Sequence, residues 1–258
     1  MSRVPLGEIT VGYADQGSGE PLVLVHGHPF DRTMWQPQIE RFGATHRVIA
    51  ADLRGYGETT VVPGKTLLET FARDLAALLD KLAVPQCHLA GLSMGGQIVM
   101  EFHRLFPERI RGLLLADTSP VAETAEGRRQ RTEMAERLLR EGLAPYAEEV
   151  LRKMVAPGAP EVDEHVLGMM RATVPEGAAA ALRGRAERPD YRETLATVRV
   201  PTLIVVGSED EYTPVSDAEL LHATIPDSKL VVIDGAAHLP NLERPAEFNV
   251  AMADWLRA

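Results

Sequence analysis

Short apolar runs alternating with helical patterns are the feature that most restricts how this chain can fold. Residues 21–26 (PLVLVH), 47–52 (RVIAAD), 86–90, 110–117, 202–206 and 229–233 read as buried strands. Between them, residues 66–82 carry Leu67, Phe71, Leu75, Leu78, Leu79 and Leu82 at the three- and four-residue spacing of a helix with one buried face. Further helical patterns cover 93–106, 215–224 and 245–256. Strands separated by helices cannot pair as hairpins, so the pattern predicts an α/β fold with a mainly parallel sheet flanked by helices.

One stretch breaks the alternation. From about 120 to 194 there is no strand pattern, and the apolar residues take helical spacing: Met134 and Leu138; Val150 and Met154; Val162, Val166, Met169 and Met170. The reading is a core made of 1–119 and 195–258, with 120–194 inserted between two strands as a helical cap. The insert holds 14 acidic and 12 basic residues, so most of the net charge of −10 lies outside it. Methionine side chains reshape easily, and Met134, Met154, Met169 and Met170 are therefore expected to form an adaptable apolar pocket wall, with His28 on the loop after the first long strand.

Charge and cysteine content exclude several classes. An acidic chain whose densest basic cluster is Arg128, Arg129 and Arg131 is not built to attract nucleic acid or anionic lipid. The single cysteine, Cys87, forms no internal disulfide and reads as a small core residue. No run approaches ~20 apolar residues, so no membrane span is expected. Residues 1–8 lack the apolar stretch of a signal peptide, which makes a cytoplasmic location the default expectation. Nothing in the sequence asks for a metal or a cofactor.

Gly91-Leu92-Ser93-Met94-Gly95 sits where an apolar strand gives way to a helical pattern. A serine on such a sharp turn projects its hydroxyl clear of the sheet, and small flanking residues avoid collisions. The helix start behind it offers backbone N–H groups to a developing oxyanion. A serine hydroxyl needs a base, and His238, on the loop after the last strand, lies at the same sheet edge as Ser93 in a parallel sheet. The orienting acid should come from a strand end between them. Asp210 in Glu209-Asp210-Glu211 is the first choice; spacing alone leaves Glu209 and Glu211 open, and Asp117 is the runner-up, with turn-holding as its alternative role.

These residues resemble the α/β-hydrolase superfamily over almost the whole chain. The matching motifs, in order, are His26-Gly27-His28-Pro29, Asp52-Leu53-Arg54-Gly55-Tyr56-Gly57, Gly91-Leu92-Ser93-Met94-Gly95-Gly96 and Gly235-Ala236-Ala237-His238. The run from Gly207 to Pro214 resembles the acid loop of the family and favours Asp210. The resemblance implies a serine hydrolase with Ser93, Asp210 and His238 as catalytic residues and an oxyanion hole from the N–H groups of Phe30 and Met94. Within the superfamily the chain resembles small esterases and lactonases with a helical cap, such as 3-oxoadipate enol-lactonases and acyl-homoserine lactonases. The substrate expected from this is a small ester or lactone.

It also resembles cofactor-free haloperoxidases (perhydrolases), which commonly carry Trp where this chain has Phe30. A C–C bond hydrolase is a further alternative. Two readings from other classes compete. His26-Gly27-His28 with Asp31 resembles the start of a metallo-hydrolase motif, but Phe30 stands where that motif needs Asp. A ligand-binding receptor on the same fold is the other, against which the complete Ser–His–Asp set weighs.

Overall fold

A computed structural model describes residues 2–258. Eight strands form one sheet: β1 (Ser2–Leu6), β2 (Ile9–Gln16), β3 (Pro21–Val25), β4 (Arg47–Ala51), β5 (Cys87–Leu92), β6 (Ile110–Ala116), β7 (Thr202–Gly207) and β8 (Lys229–Ile233). Their order is β1-β2-β4-β3-β5-β6-β7-β8. From β4 to β8 every neighbouring pair is parallel, and β1 and β2 add an antiparallel edge. The expected mainly parallel α/β sheet is thus what the chain forms.

The helices are α1 (Gln36–Phe42), α2 (Leu68–Lys81), α3 (Met94–Leu105), α4 (Ala125–Glu141), α5 (Ala144–Met154), α6 (Pro160–Ala172), α7 (Pro175–Arg185), α8 (Arg192–Leu195), α9 (Val215–Thr224), α10 (Pro240–Glu243) and α11 (Pro245–Trp255). Strand alternation splits the core into two layers. Val23 and Val25 of β3 face one layer, with Phe71 of α2, Ile98 of α3 and Leu221 of α9. Leu22 and Leu24 face the other, with Trp35, Phe42 of α1 and Phe248 of α11. Apolar residues on both faces of a strand are what a sheet covered on both sides requires, and fully burying each such side chain is worth roughly 1.5–3 kcal/mol.

Sequence periodicity located α2 well. Leu68, Phe71, Leu75, Leu78 and Leu79 are buried, while Leu67 precedes the helix and is exposed. The β1–β2 hairpin and α1 carry no strong apolar run and were not anticipated. β1 contains Pro5 and is largely exposed, as suits a strand at the sheet edge.

Between β6 and β7 the regular elements are helices only, α4 to α8, joined by loops. Helix α7 approaches the core closely: a Cβ at Gly177 would overlap the carbonyl of Gly55, so only glycine lets the two backbones meet.

Topology creates the crevice. β3 is flanked by β4 on one side and β5 on the other, so the loops after β3 and β5 diverge. Ligands of open α/β sheets sit at such a switch point, beyond the carboxyl ends of the strands.

Candidate active site

Ser93 occupies the turn from β5 into α3 with φ 57° and ψ −118°, a strained conformation for a side chain-bearing residue. The surroundings hold it there. Its N–H donates to the Ala116 carbonyl at 2.9 Å, and the Thr118 hydroxyl donates to its carbonyl at 2.8 Å. Gly95 is required on the helix side, because a Cβ there would collide with the Val25 carbonyl.

His238 lies on the loop after β8. Its Nδ1 is 2.8 Å from Oδ2 of Asp210, which follows β7. The Asp210 carboxylate also accepts from the N–H groups of Tyr212 (2.8 Å) and Thr213 (3.1 Å) and from the Thr213 hydroxyl (2.6 Å). Burial alone would raise its pKa, but His238 and the Thr213 donors outweigh that and hold it below the ordinary carboxylate range. Asp210 is therefore ionised at neutral pH, and its bond to Nδ1 leaves Nε2 as the free ring nitrogen. Tyr212 packs against the imidazole, ring centroids 5.3 Å apart.

Ser93 and His238 open onto the same cavity of about 330 Å³. No direct hydrogen bond joins them in this conformation; such bonds often tighten only when substrate is present.

Asp117, at the end of β6, takes the turn-holding role. Its Oδ1 accepts from the Gly207 N–H at 2.9 Å, while Oδ2 is buried without a partner. Burial, then the Asp210 charge, push its pKa well up. Neither Glu209 nor Glu211 forms a hydrogen bond or ion pair with His238, whose carboxylate partner is Asp210. Sequence reasoning missed Glu243, whose carboxylate accepts from the N–H groups of Ala237 (3.1 Å), Leu239 (3.0 Å) and Ala156 (2.7 Å) and so clamps the loop that carries His238. Glutamate five residues past a loop histidine carries no recognisable local pattern.

The two oxyanion candidates differ. Met94 is the first residue of α3, where the N–H has no intrahelical acceptor. The Phe30 N–H already donates to the Gly27 carbonyl, at a long 3.2 Å.

The histidine-rich motif serves architecture. His26 Nε2 accepts from the Leu53 N–H at 2.9 Å, and its Nδ1 is 2.8 Å from the Gly27 carbonyl, so backbone occupies both nitrogens. Burial lowers its pKa. His28 Nδ1 is 2.8 Å from the Tyr56 hydroxyl, which ties the loop after β3 to the loop after β4.

Of the expected pocket residues, His28 and Met154 line the cavity; Met134, Met169 and Met170 do not. Met169 and Met170, on α6, are buried in the core layer that holds Trp35 and Phe248, and Met134 packs with the α4–α7 cluster. Helical spacing marks a buried face without telling whether protein or cavity covers it. The expected methionine wall is replaced by a polar one, with Arg131 of α4, Tyr146 of α5, Arg185 of α7 and Arg188 just after it.

A mainly parallel sheet with a serine, a histidine–aspartate pair and a helical segment converging at its carboxyl edge defines the α/β-hydrolase type of protein. The Alpha/beta hydrolase family model matches residues 22–251, and the chain belongs to that family. It is 30% identical to 3-oxoadipate enol-lactonase 2 of Acinetobacter baylyi over 250 residues, 95% of this chain and 92% of that one. Among solved structures, a thermophilic esterase from Thermogutta terrifontis, described with malate bound, superposes with a TM-score of 0.96 at 40% identity, covering 100% of this chain and 98% of the other. A hydrolase from Pseudomonas aeruginosa superposes with a TM-score of 0.92 at 30% identity, covering 100% and 98%. Family and relatives together support a hydrolase activity. Among the described residues no helix is long and apolar enough to cross a membrane.

Proposed function

We propose that this chain hydrolyses a carboxylic ester or lactone through an acyl-enzyme intermediate. The observation that carries the proposal is the 2.8 Å pairing of His238 Nδ1 with an ionised Asp210 on the cavity onto which Ser93 opens. Asp210 fixes the imidazole in the tautomer whose Nε2 accepts a proton. As the Ser93 hydroxyl attacks the carbonyl carbon, Nε2 takes its proton; the protonated ring then delivers it to the leaving alkoxide. Water, deprotonated by the same nitrogen, attacks the acyl-enzyme, and Ser93 recovers its proton as the acid departs. Charge on the carbonyl oxygen is met by the free Met94 N–H at the start of α3 and by the Phe30 N–H, which shares its hydrogen with Gly27. No step asks for a cofactor.

Residues 120–194 act in this reading as the cap over a core of 1–119 and 195–258. In support, α4, α5 and α7 contribute Arg131, Tyr146, Met154 and Arg185 to the cavity wall. Esterase and enol-lactonase relatives support the ester and lactone substrate class.

The test is turnover of 4-nitrophenyl acetate and of a lactone panel by wild type and Ser93→Ala. The variant should lose more than about 10⁴-fold in kcat while keeping its melting temperature. Undiminished turnover would overturn the proposal.

A further inference from the structure

Three guanidinium groups face the cavity, and they are not equivalent. Arg131 Nε pairs with Glu123, and Arg188 Nη2 lies 3.8 Å from the same carboxylate while its Nε donates to the Val121 carbonyl at 2.8 Å. Arg185 has no such partner. It is 8% exposed, and its one hydrogen bond among the described residues runs from Nε to the Gln97 side-chain oxygen at 3.1 Å. No carboxylate pairs with it.

This is an uncommon way to place an arginine. A buried charge normally carries a partner, because desolvation without one costs several kcal/mol. Burial and the neighbouring Arg131 and Arg188 all disfavour its charged form, yet the guanidinium stays protonated in proteins. His28, on the same cavity, has its pKa lowered first by burial and then by Arg185 and Arg131, so the positive field reaches the wall beside Ser93. Charged cavity residues number three arginines against Glu123 and Asp217, one positive charge in surplus, in a chain whose net charge is −10.

We infer that the substrate carries a carboxylate of its own, which the Arg185 guanidinium receives inside the cavity while Ser93 attacks the ester or lactone carbonyl. This rests on the hydrolase reading above for the attack, though not for the binding. A planar fork of N–H donors matches a carboxylate bidentately. A surplus of one charge fits a monoanionic group better than a dianionic phosphate. Arg185 then acts as a specificity-determining residue: its unpaired charge is supplied with a partner by the correct substrate and left bare by a neutral one, which raises the penalty for the wrong ligand.

The experiment compares kcat/KM for mono-4-nitrophenyl adipate with that for its methyl-capped neutral analogue, after subtraction of spontaneous hydrolysis. Wild type should favour the anionic ester by about 10- to 100-fold, the range of one charged hydrogen-bond pair. In Arg185→Gln that ratio should fall to about one, and Arg185→Lys, which keeps charge without the fork, should restore part of it. A wild-type ratio near one, or a ratio unchanged in Arg185→Gln, overturns the inference. Should Arg185→Gln fail to fold, calorimetry on Ser93→Ala decides: free adipate should bind and adipamide should not, and equal binding or none by adipate overturns it. Turnover of the neutral ester with a ratio of one sinks only the carboxylate site. Adipate binding without turnover of either ester sinks only the acyl-enzyme reading.

Discussion

Asp117 and Asp210 follow adjacent strands, β6 and β7, and one carboxyl oxygen of each lies within 4.8 Å of the other and of a His238 ring nitrogen. The two acids are pushed in opposite directions. Asp210 is held low by His238 and Thr213 against the cost of burial, whereas Asp117 is raised by burial and by the Asp210 charge itself. One pairs with an imidazole and is pushed toward its anion; the other holds a turn through the Gly207 N–H and is pushed toward its neutral form.

That difference separates the roles of the two residues experimentally. Asp210→Asn should lower kcat by about 10⁴-fold, because an amide does not enforce the required tautomer. Asp117→Asn keeps an oxygen for the Gly207 N–H and should retain kcat within about threefold. Parallel assays of the two variants on one aryl ester check this.

Stability should respond to pH through the same pair. The folded-state pKa of Asp117 is raised, so the native state holds a proton that the unfolded chain releases above about pH 3.9. Its neutral form therefore stabilises the fold only at low pH, and that contribution is lost as pH rises through the folded pKa. Asp210 has the opposite sign: its depressed folded pKa contributes stability above about pH 3.9 that is lost as pH falls through the folded value. Between about pH 2 and pH 8, the melting temperature of Asp117→Asn relative to wild type should rise once pH passes about 4, whereas that of Asp210→Asn should fall as pH climbs to about 4 and then stay level. Thermal melts across that range provide the measurement.

Glu243 should matter for stability and for catalysis together. Glu243→Ala leaves the N–H groups of Ala237, Leu239 and Ala156 without their acceptor. We expect a loss of about 3 kcal/mol from this, on ~1–3 kcal/mol per unsatisfied buried group with partial rescue by water. Because His238 stands between two of those amides, kcat should fall as well. Denaturant unfolding paired with kcat on one preparation tests both effects.

Asp52 offers a structural control away from the chemistry. It pairs with the buried Arg32 and accepts from the N–H groups of Arg32 (2.9 Å) and Glu58 (2.8 Å). Asp52→Ala leaves Arg32 with Glu58, 2.8 Å away, as its remaining carboxylate partner and takes the acceptor from two N–H groups; it should cost about 2–4 kcal/mol, while kcat of the protein that remains folded should stay near wild type.

Much of the candidate site is legible in the sequence, for physical reasons that differ residue by residue. Ser93 was legible because its turn needs glycine close by and an apolar strand ahead, both visible within a few residues. His238 and Asp210 were legible because a parallel sheet brings all its strand ends to one edge. The arginine wall was not. Arg183-Gly184-Arg185-Ala186-Glu187-Arg188 has the texture of a solvated helix end, and nothing local separates Arg185, which is buried, from Arg183, which pairs with Glu136 at 2.6 Å on the surface. A signal existed one turn earlier. Ala178 to Ala181 are all buried, and a helix apolar all round lies inside the molecule, so an arginine near its end had reason to be inside too. Met169 and Met170 misled for the converse reason, since their spacing is equally that of core packing.

Trapping the intermediate tests the central claim most directly. Rapid mixing of enzyme with excess 4-nitrophenyl ester, followed by acid quench and mass spectrometry, should show a burst of nitrophenol of about one equivalent and an acyl mass on the peptide that contains Ser93, absent from Ser93→Ala. Full turnover with no acyl group on Ser93, or an acyl group on another residue, would contradict the account.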